Sequence, residues 1–184
     1  EHRAVPMLDE ILRRGLECRF HCPNGLHLRE ITPRLARLMH RSGFRTVRFG
    51  FETASAERQE STGGKVTTAQ LRQAVAYLLE AGYAPRDIGV YLLCGLPGQD
   101  VREMKAGIDL VAASGARPIL AEYSPIPGTP LWDEALCHAR YDIAAEPLFH
   151  NNSLLPCLDR GISPADFQSL KNLARAACSD GAWR

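Results

Sequence analysis

The chain has 184 residues with 22 basic and 21 acidic side chains, a net charge of +1. That near-balance gives no electrostatic reason to expect nucleic acid or an anionic membrane as partner, and no apolar run approaches the roughly 20 residues that cross a bilayer. The length suits one domain with a proper core, or part of a larger barrel.

Residues 5–14 read as a helix, with Pro6 early and Gly15 beyond its end. Residues 17–22 read as a strand that Pro23-Asn24-Gly25 stops. Thr32 suits a helix N-cap, with Pro33 at the first helical position. Leu35, Leu38 and Met39 give that helix its apolar stripe, and Gly43 follows where a left-handed residue is expected. Residues 46–52 form the next predicted strand, which ends on the carboxylate of Glu52. A polar stretch, 53–65, is broken at Gly63-Gly64. Thr67 or Thr68 caps a helix with Leu71, Val75, Leu78 and Leu79 on one side, and Gly82 ends it. Residues 88–94 are almost all apolar, as a parallel strand covered on both faces requires. They run into Gly95-Leu96-Pro97-Gly98. Asp100 opens a helix with Met104, Ile108 and Val111 inward and Gly115 after it. Residues 117–123 form a fourth strand and 131–137 a short helix. Residues 141–161 have no clear period. Ser163-Pro164-x-Asp166 opens a last helix that reaches about Cys178.

A helix between every pair of strands calls for parallel strands joined by right-handed crossovers. Four strands are too few for a closed barrel, which needs about eight. The expectation is an α/β fold, an open or partial barrel truncated on its N-terminal side. Residues 1–138 form the barrel portion, and 139–184 an irregular segment with a C-terminal helix. Three successive strand ends are polar or glycine-rich, which predicts one binding site built from successive βα loops.

The six cysteines, Cys18, Cys22, Cys94, Cys137, Cys157 and Cys178, are spread out and form no disulfide framework. A reducing cytoplasm is the expected home. No charged-then-apolar leader opens the chain. It begins at Glu1, which reads as a fragment or a processed product with sequence missing upstream.

Four motifs carry a family resemblance: F-H-C-P-N-G-L-H (20–27), R-F-G-F-E-T-A-S (48–55), Y-L-L-C-G-L-P-G-Q (91–99) and Y-S-P-I-P-G-T-P-L (123–131). In this order, separated by helices, they resemble the second half of a radical S-adenosylmethionine (radical SAM) enzyme, closest to members with a cobalamin-binding domain ahead of the barrel. The resemblance covers roughly residues 1–135 and implies a partial (β/α)6 barrel. It also implies S-adenosylmethionine lying across the C-terminal strand ends, beside a [4Fe-4S] cluster held by a Cys-x3-Cys-x2-Cys loop after the first strand. Cobalamin in the parent protein is implied only for that subgroup. Cys18-x3-Cys22 begins like the cluster motif, but position 25 is Gly25, and a thiolate site needs its cysteines in one loop. Cys18 and Cys22 are therefore read as strand or strand-end residues. The cluster loop and the first two strands, the missing N-terminal half of the barrel, are expected upstream.

The resemblance also implies roles for residues. Glu52 accepts hydrogen bonds from the cofactor's ribose or fixes its amino group; otherwise it bridges to Arg48 or Lys65. Ser55 shares the ribose contact or caps the turn 56–60. Cys94, Gly95, Leu96 and Pro97 pack on the adenine. A phosphate cradle is disfavoured there by Asp100 and Glu103 at the helix start and by the missing P-loop lysine; a plain βα turn is the other alternative. Gln99 receives no role. Ser124, Pro125 and Ile126, after Tyr123, flank the adenine or form a rigid exit turn. Asn24 and His27 follow the first strand and face the substrate. His21 and His27 read as hydrogen-bonded structural histidines rather than metal ligands. Cys137, Cys157 and Cys178 read as small apolar residues. With no third thiolate, this chain alone is expected to be catalytically silent. The rival reading is a degenerate α/β module that binds a metabolite or partner without redox chemistry.

Overall fold

The computed structural model describes residues 3–61, 66–158 and 162–177. Within them the elements run α1 (Ala4–Arg13), β1 (Phe20–His21), α2 (Pro33–Arg41), β2 (Phe44–Glu52), α3 (Ala56–Ser61), α4 (Thr68–Glu80), β3 (Ile88–Cys94), α5 (Val101–Ala113), β4 (Arg117–Glu122), α6 (Trp132–His138) and α7 (Pro164–Ala176). All strand pairs are parallel and the order is β1-β2-β3-β4, so each helical crossover returns the chain to the neighbouring position. The sheet is a half-barrel with helices on its outer side.

The helix starts are set locally. The Thr32 hydroxyl accepts from the Leu35 amide, with Pro33 at the first position of α2. Thr67 and Gln70 form a reciprocal capping box on α4, and Ser163 and Asp166 do the same on α7. Asp100 accepts from the Glu103 amide at 2.8 Å to open α5. Each cap of this kind contributes about 1 kcal/mol.

The predicted first strand is shorter than expected. Glu17, Cys18 and Arg19 are exposed, and only Phe20 and His21 pair with β2. The Phe20 amide reaches the Gly43 carbonyl and the Cys22 amide reaches Thr46. Cys18 thus precedes the strand and Cys22 follows it. Gly43 has φ +98, and a Cβ there would lie 2.0 Å from the Cys18 carbonyl oxygen. Only glycine lets β2 begin this close to the segment leading into β1. On α4, Ala74 is buried and Leu79 only partly so. Cys137, read as a small apolar residue, is exposed on a short surface helix. Gly63-Gly64, Lys65, Gly161 and Cys178 lie outside the described residues.

Alternation along the strands sorts side chains into two faces. Val47, Phe49 and Phe51 of β2 are buried. So are Ile88, Val90, Leu92 and Cys94 of β3, and Gly107 of α5 packs directly on Leu92. These residues form the core between sheet and helices, worth about 1.5–3 kcal/mol for each large side chain. The opposite, barrel-inward face carries Arg48, Gly50 and Glu52, then Tyr91 and Leu93, then Ile119 and Ala121.

Candidate binding site at the strand ends

β2 ends in a distortion. Its register with β3 shifts between Gly50 and Glu52, and Glu52 has φ 69, the left-handed region. A residue with a Cβ pays about 1–2 kcal/mol for that conformation, and such strain concentrates at functional sites. A bulge at a barrel rim re-aims a side chain. Here Glu52 borders a cavity of about 240 Å³, together with Leu93, Tyr123, Ser124, Ile126 and the turn Thr129–Leu131. The Arg48 guanidinium donates to the Val47 carbonyl at 3.3 Å and lies across Gly89.

The three strand ends converge as predicted. Glu52 pairs in register with Leu92, and Cys94 with Glu122, so the exits of β2, β3 and β4 are neighbours at one end of the sheet. Glu52, Ser124 and Ile126 line the cavity; Cys94, Gly95, Leu96, Pro97, Ser55 and Pro125 do not. Sequence reasoning gave no separate role to Leu93, Thr129, Pro130 or Leu131, although all lie within the quoted motifs. The signal available for Leu93 was its parity, odd among the even-numbered core residues of β3.

The turn after β3 does not line the cavity but packs behind its wall. Leu96 is buried in a second apolar cluster with Tyr123, Ala135, Ile143 and Cys157. Gly95, at φ +90, lies against Leu155 and Leu158. Its amide is already taken by the Gln99 side chain at 2.9 Å, which agrees with the sequence argument against a phosphate cradle. The Cys94 thiol points into the main core. Burial, reinforced by the nearby Glu122 carboxylate, pushes it up to about 12. Glu122 itself pairs with Lys171 of α7 at 2.9 Å.

Two further contacts shape the rim. The Ser124 hydroxyl donates to the His150 carbonyl, and His150 bonds in turn to the Ile143 carbonyl at 2.6 Å. The Arg140 amide reaches the Pro156 carbonyl at 2.9 Å, so residues 140–156 close on themselves as a compact loop of the Ω kind. Tyr123 borders the cavity while its hydroxyl is buried without a hydrogen-bond partner among the described residues; burial pushes it up to about 12. On the other flank the buried Thr53 hydroxyl and the Arg58 guanidinium both donate to Glu103, at 2.9 and 3.0 Å. This ties the β2 exit to the first turn of α5. The Ser55 hydroxyl accepts from the Arg58 amide at a long 3.4 Å, the capping alternative in weak form.

The thiolate set does not fit a [4Fe-4S] cluster. Among the described residues no three His, Cys, Asp or Glu side chains come together as metal ligands. His21 bonds to the Thr46 hydroxyl at 2.9 Å. The cavity does fit part of a nucleoside: one carboxylate acceptor, the hydroxyls of Ser124 and Thr129, and an apolar wall. Its volume is below the roughly 300 Å³ at which pockets for drug-sized ligands begin. Among the described residues, no helix is long and apolar enough to cross a membrane.

Comparison with known proteins gives a family and a fold. Residues 3–111, more than half of the chain, match the model of the Radical SAM superfamily. No curated protein matches. Among solved structures, the chain is similar to TsrM, a radical S-adenosylmethionine methyltransferase from Kitasatospora setae. In its complex with tryptophan substrate and the analogue aza-SAM, the TM-score is 0.58 and the identity 21%, covering 71% of this chain and 26% of that one. With cobalamin and a [4Fe-4S] cluster bound, the same enzyme gives 0.57 and 20%, covering 71% and 28%. Coproporphyrinogen III oxidase (HemN) from Escherichia coli, a radical SAM enzyme, gives 0.56 and 16%, covering 71% and 30%. At these identities the likeness is one of fold, the partial TIM barrel. The chain spans less than a third of the length of these solved chains.

Proposed function

The chain belongs to the radical SAM superfamily, and we propose that its strand ends form the nucleoside-facing side of an S-adenosylmethionine pocket in a longer radical SAM enzyme. The observation that supports this reading is Glu52, held in a strained conformation at a bulge and bordering the cavity between the three strand exits. An ionised carboxylate only accepts hydrogen bonds, which suits a ribose diol or the cofactor's ammonium group. Leu93, Ile126 and the Tyr123 ring give an apolar surface for the adenine, and Ser124 stands at its rim. Cys94, Gly95, Leu96 and Pro97 act from behind, by fixing the backbone that carries Leu93. Ser55 and Pro125 shape the adjoining loops.

Bound there, S-adenosylmethionine supplies a 5'-deoxyadenosyl radical, or related chemistry, on one-electron cleavage. This chain's residues hold and orient the nucleoside and keep water from it. The [4Fe-4S] cluster and the N-terminal strands of the barrel belong to a part of the protein outside this chain. Two facts support that: the chain's short span against the solved structures, and the lack of a ligand set among its described residues. Cobalamin in the parent protein is supported by the likeness to TsrM. The described cysteines are free thiols, which suits a reducing cytoplasm. Alone, the chain is catalytically silent.

Calorimetric titration of the chain with S-adenosylmethionine tests the site. Glu52→Gln and Glu52→Gly each weaken binding by about tenfold, the effect of one charge-assisted hydrogen bond. Glu52→Gly leaves the thermal midpoint close to that of the wild-type chain, because relief of the positive-φ strain is offset by the larger backbone entropy that glycine loses on folding. Glu52→Val lowers stability further, because a β-branched side chain is a steric outlier at positive φ. Unchanged affinity in the Gln and Gly variants removes Glu52 from the site.

A further inference from the structure

Gln99 is 3% exposed, one residue before the cap of α5, where a loop amide would normally be solvated. Its Oε1 accepts from the Gly95 amide at 2.9 Å and from the Leu96 amide at 3.4 Å. Its Nε2 donates to the Leu93 carbonyl at 3.1 Å. The three backbone groups are those left over where β3 runs out. The ladder with β4 ends at Cys94, so the Gly95 amide has no strand partner, and Gly95 at φ +90 turns the chain away. Gln99 closes the strand end from within its own turn, holding both the Gly95 and Leu96 amides; the Gly95 amide also meets the Cys94 sulfur, a weak acceptor beside an amide oxygen.

We propose that Gln99 is the positioning residue of the site: by holding the Gly95 and Leu96 amides it fixes the β3 exit, and through it the side chain of Leu93 in the cavity wall. The proposal rests on the reading that the strand ends hold a nucleoside. The acceptor atom carries the effect. Buried N–H groups are rarely left unpaired, whereas a carbonyl with one bond fewer is better tolerated. Gln99→Glu keeps the acceptor and, as the neutral acid, a donor for the Leu93 carbonyl, while Gln99→Leu, of similar size, orphans the Leu96 amide and leaves the Gly95 amide only the weak Cys94 sulfur. Gln99→Asn shortens the side chain by one methylene and draws the acceptor away.

Two readouts on the 184-residue chain decide this. Amide hydrogen exchange at Gly95 and Leu96, followed by NMR, stays slow in Gln99→Glu and accelerates by about tenfold or more in Gln99→Leu and Gln99→Asn. S-adenosylmethionine affinity, by titration, stays within about twofold in Gln99→Glu and falls by about tenfold in Gln99→Leu. Should Gln99→Leu not fold, Gln99→Glu and Gln99→Asn still separate the acceptor from the donor. Exchange that is equally slow in all folded variants overturns the proposal, as does fast exchange in Gln99→Glu. A parent chain that binds no S-adenosylmethionine overturns the ligand reading, and with it the positioning claim, whereas slow Gly95 exchange dependent on the acceptor still establishes the structural contact. Accelerated exchange with unchanged affinity overturns the positioning role alone.

Discussion

Glu52 and Cys94 end neighbouring strands, yet their side chains meet opposite environments. Glu52 turns to the barrel mouth through its bulge and positive φ. Cys94 keeps the strand parity and is sealed in the core beside Glu122. A thiol raised by burial stabilises the fold only while protonated. The Cys94 contribution is complete below its ordinary value of 9.0 and is lost as pH rises toward about 12. Tyr123 shifts in the same direction, from 10.0 to about 12. Denaturant midpoints measured at pH 7, 9 and 11 should fall above pH 9, and fall less steeply in Cys94→Ala. A variant that declines as steeply as the parent contradicts the assignment of that alkaline loss to Cys94.

Helix starts were the most legible elements, because a cap is a short-range event. Thr32-Pro33, Thr67, Asp100 and Ser163 cap the helices they were predicted to cap. The first strand was over-read because its edge has only one neighbour: residues 17–19 look strand-like yet find no partner. Residues 140–158 were illegible for a different reason. Their order comes from scattered tertiary contacts, such as Tyr141 on Phe149 and Trp132 on His150, and not from a period of 2 or 3.6. Ser124 anchors that segment to the β4 exit through His150. Ser124→Ala should cost about 1 kcal/mol and speed proteolytic cleavage near Asn151-Asn152, read by mass spectrometry over time. Equal cleavage rates would show that the loop is held by its apolar contacts alone.

The parallel half-barrel followed from alternating strands and helices together with near-continuous apolar β3, and the structure has that topology. The site was legible as far as parallel strands carry it. Parallel pairing brings successive C-terminal ends to one side, so Glu52, Cys94 and Ser124 had to be neighbours. Which atoms face the cavity was not legible. The bulge at Glu52, the burial of Leu96 under residues 135–157 and the Gln99 contacts with Gly95 all depend on elements far apart in sequence or on one local φ. The proposed function makes the C-terminal end of this sheet a nucleoside surface. A two-dimensional 15N–1H NMR titration of the chain with S-adenosylmethionine tests that most directly. The predicted result is saturable shifts gathered at residues 52, 93 and 123–131. Shifts gathered instead at the opposite end of the strands, around residues 17–19 and 41–45, would contradict it.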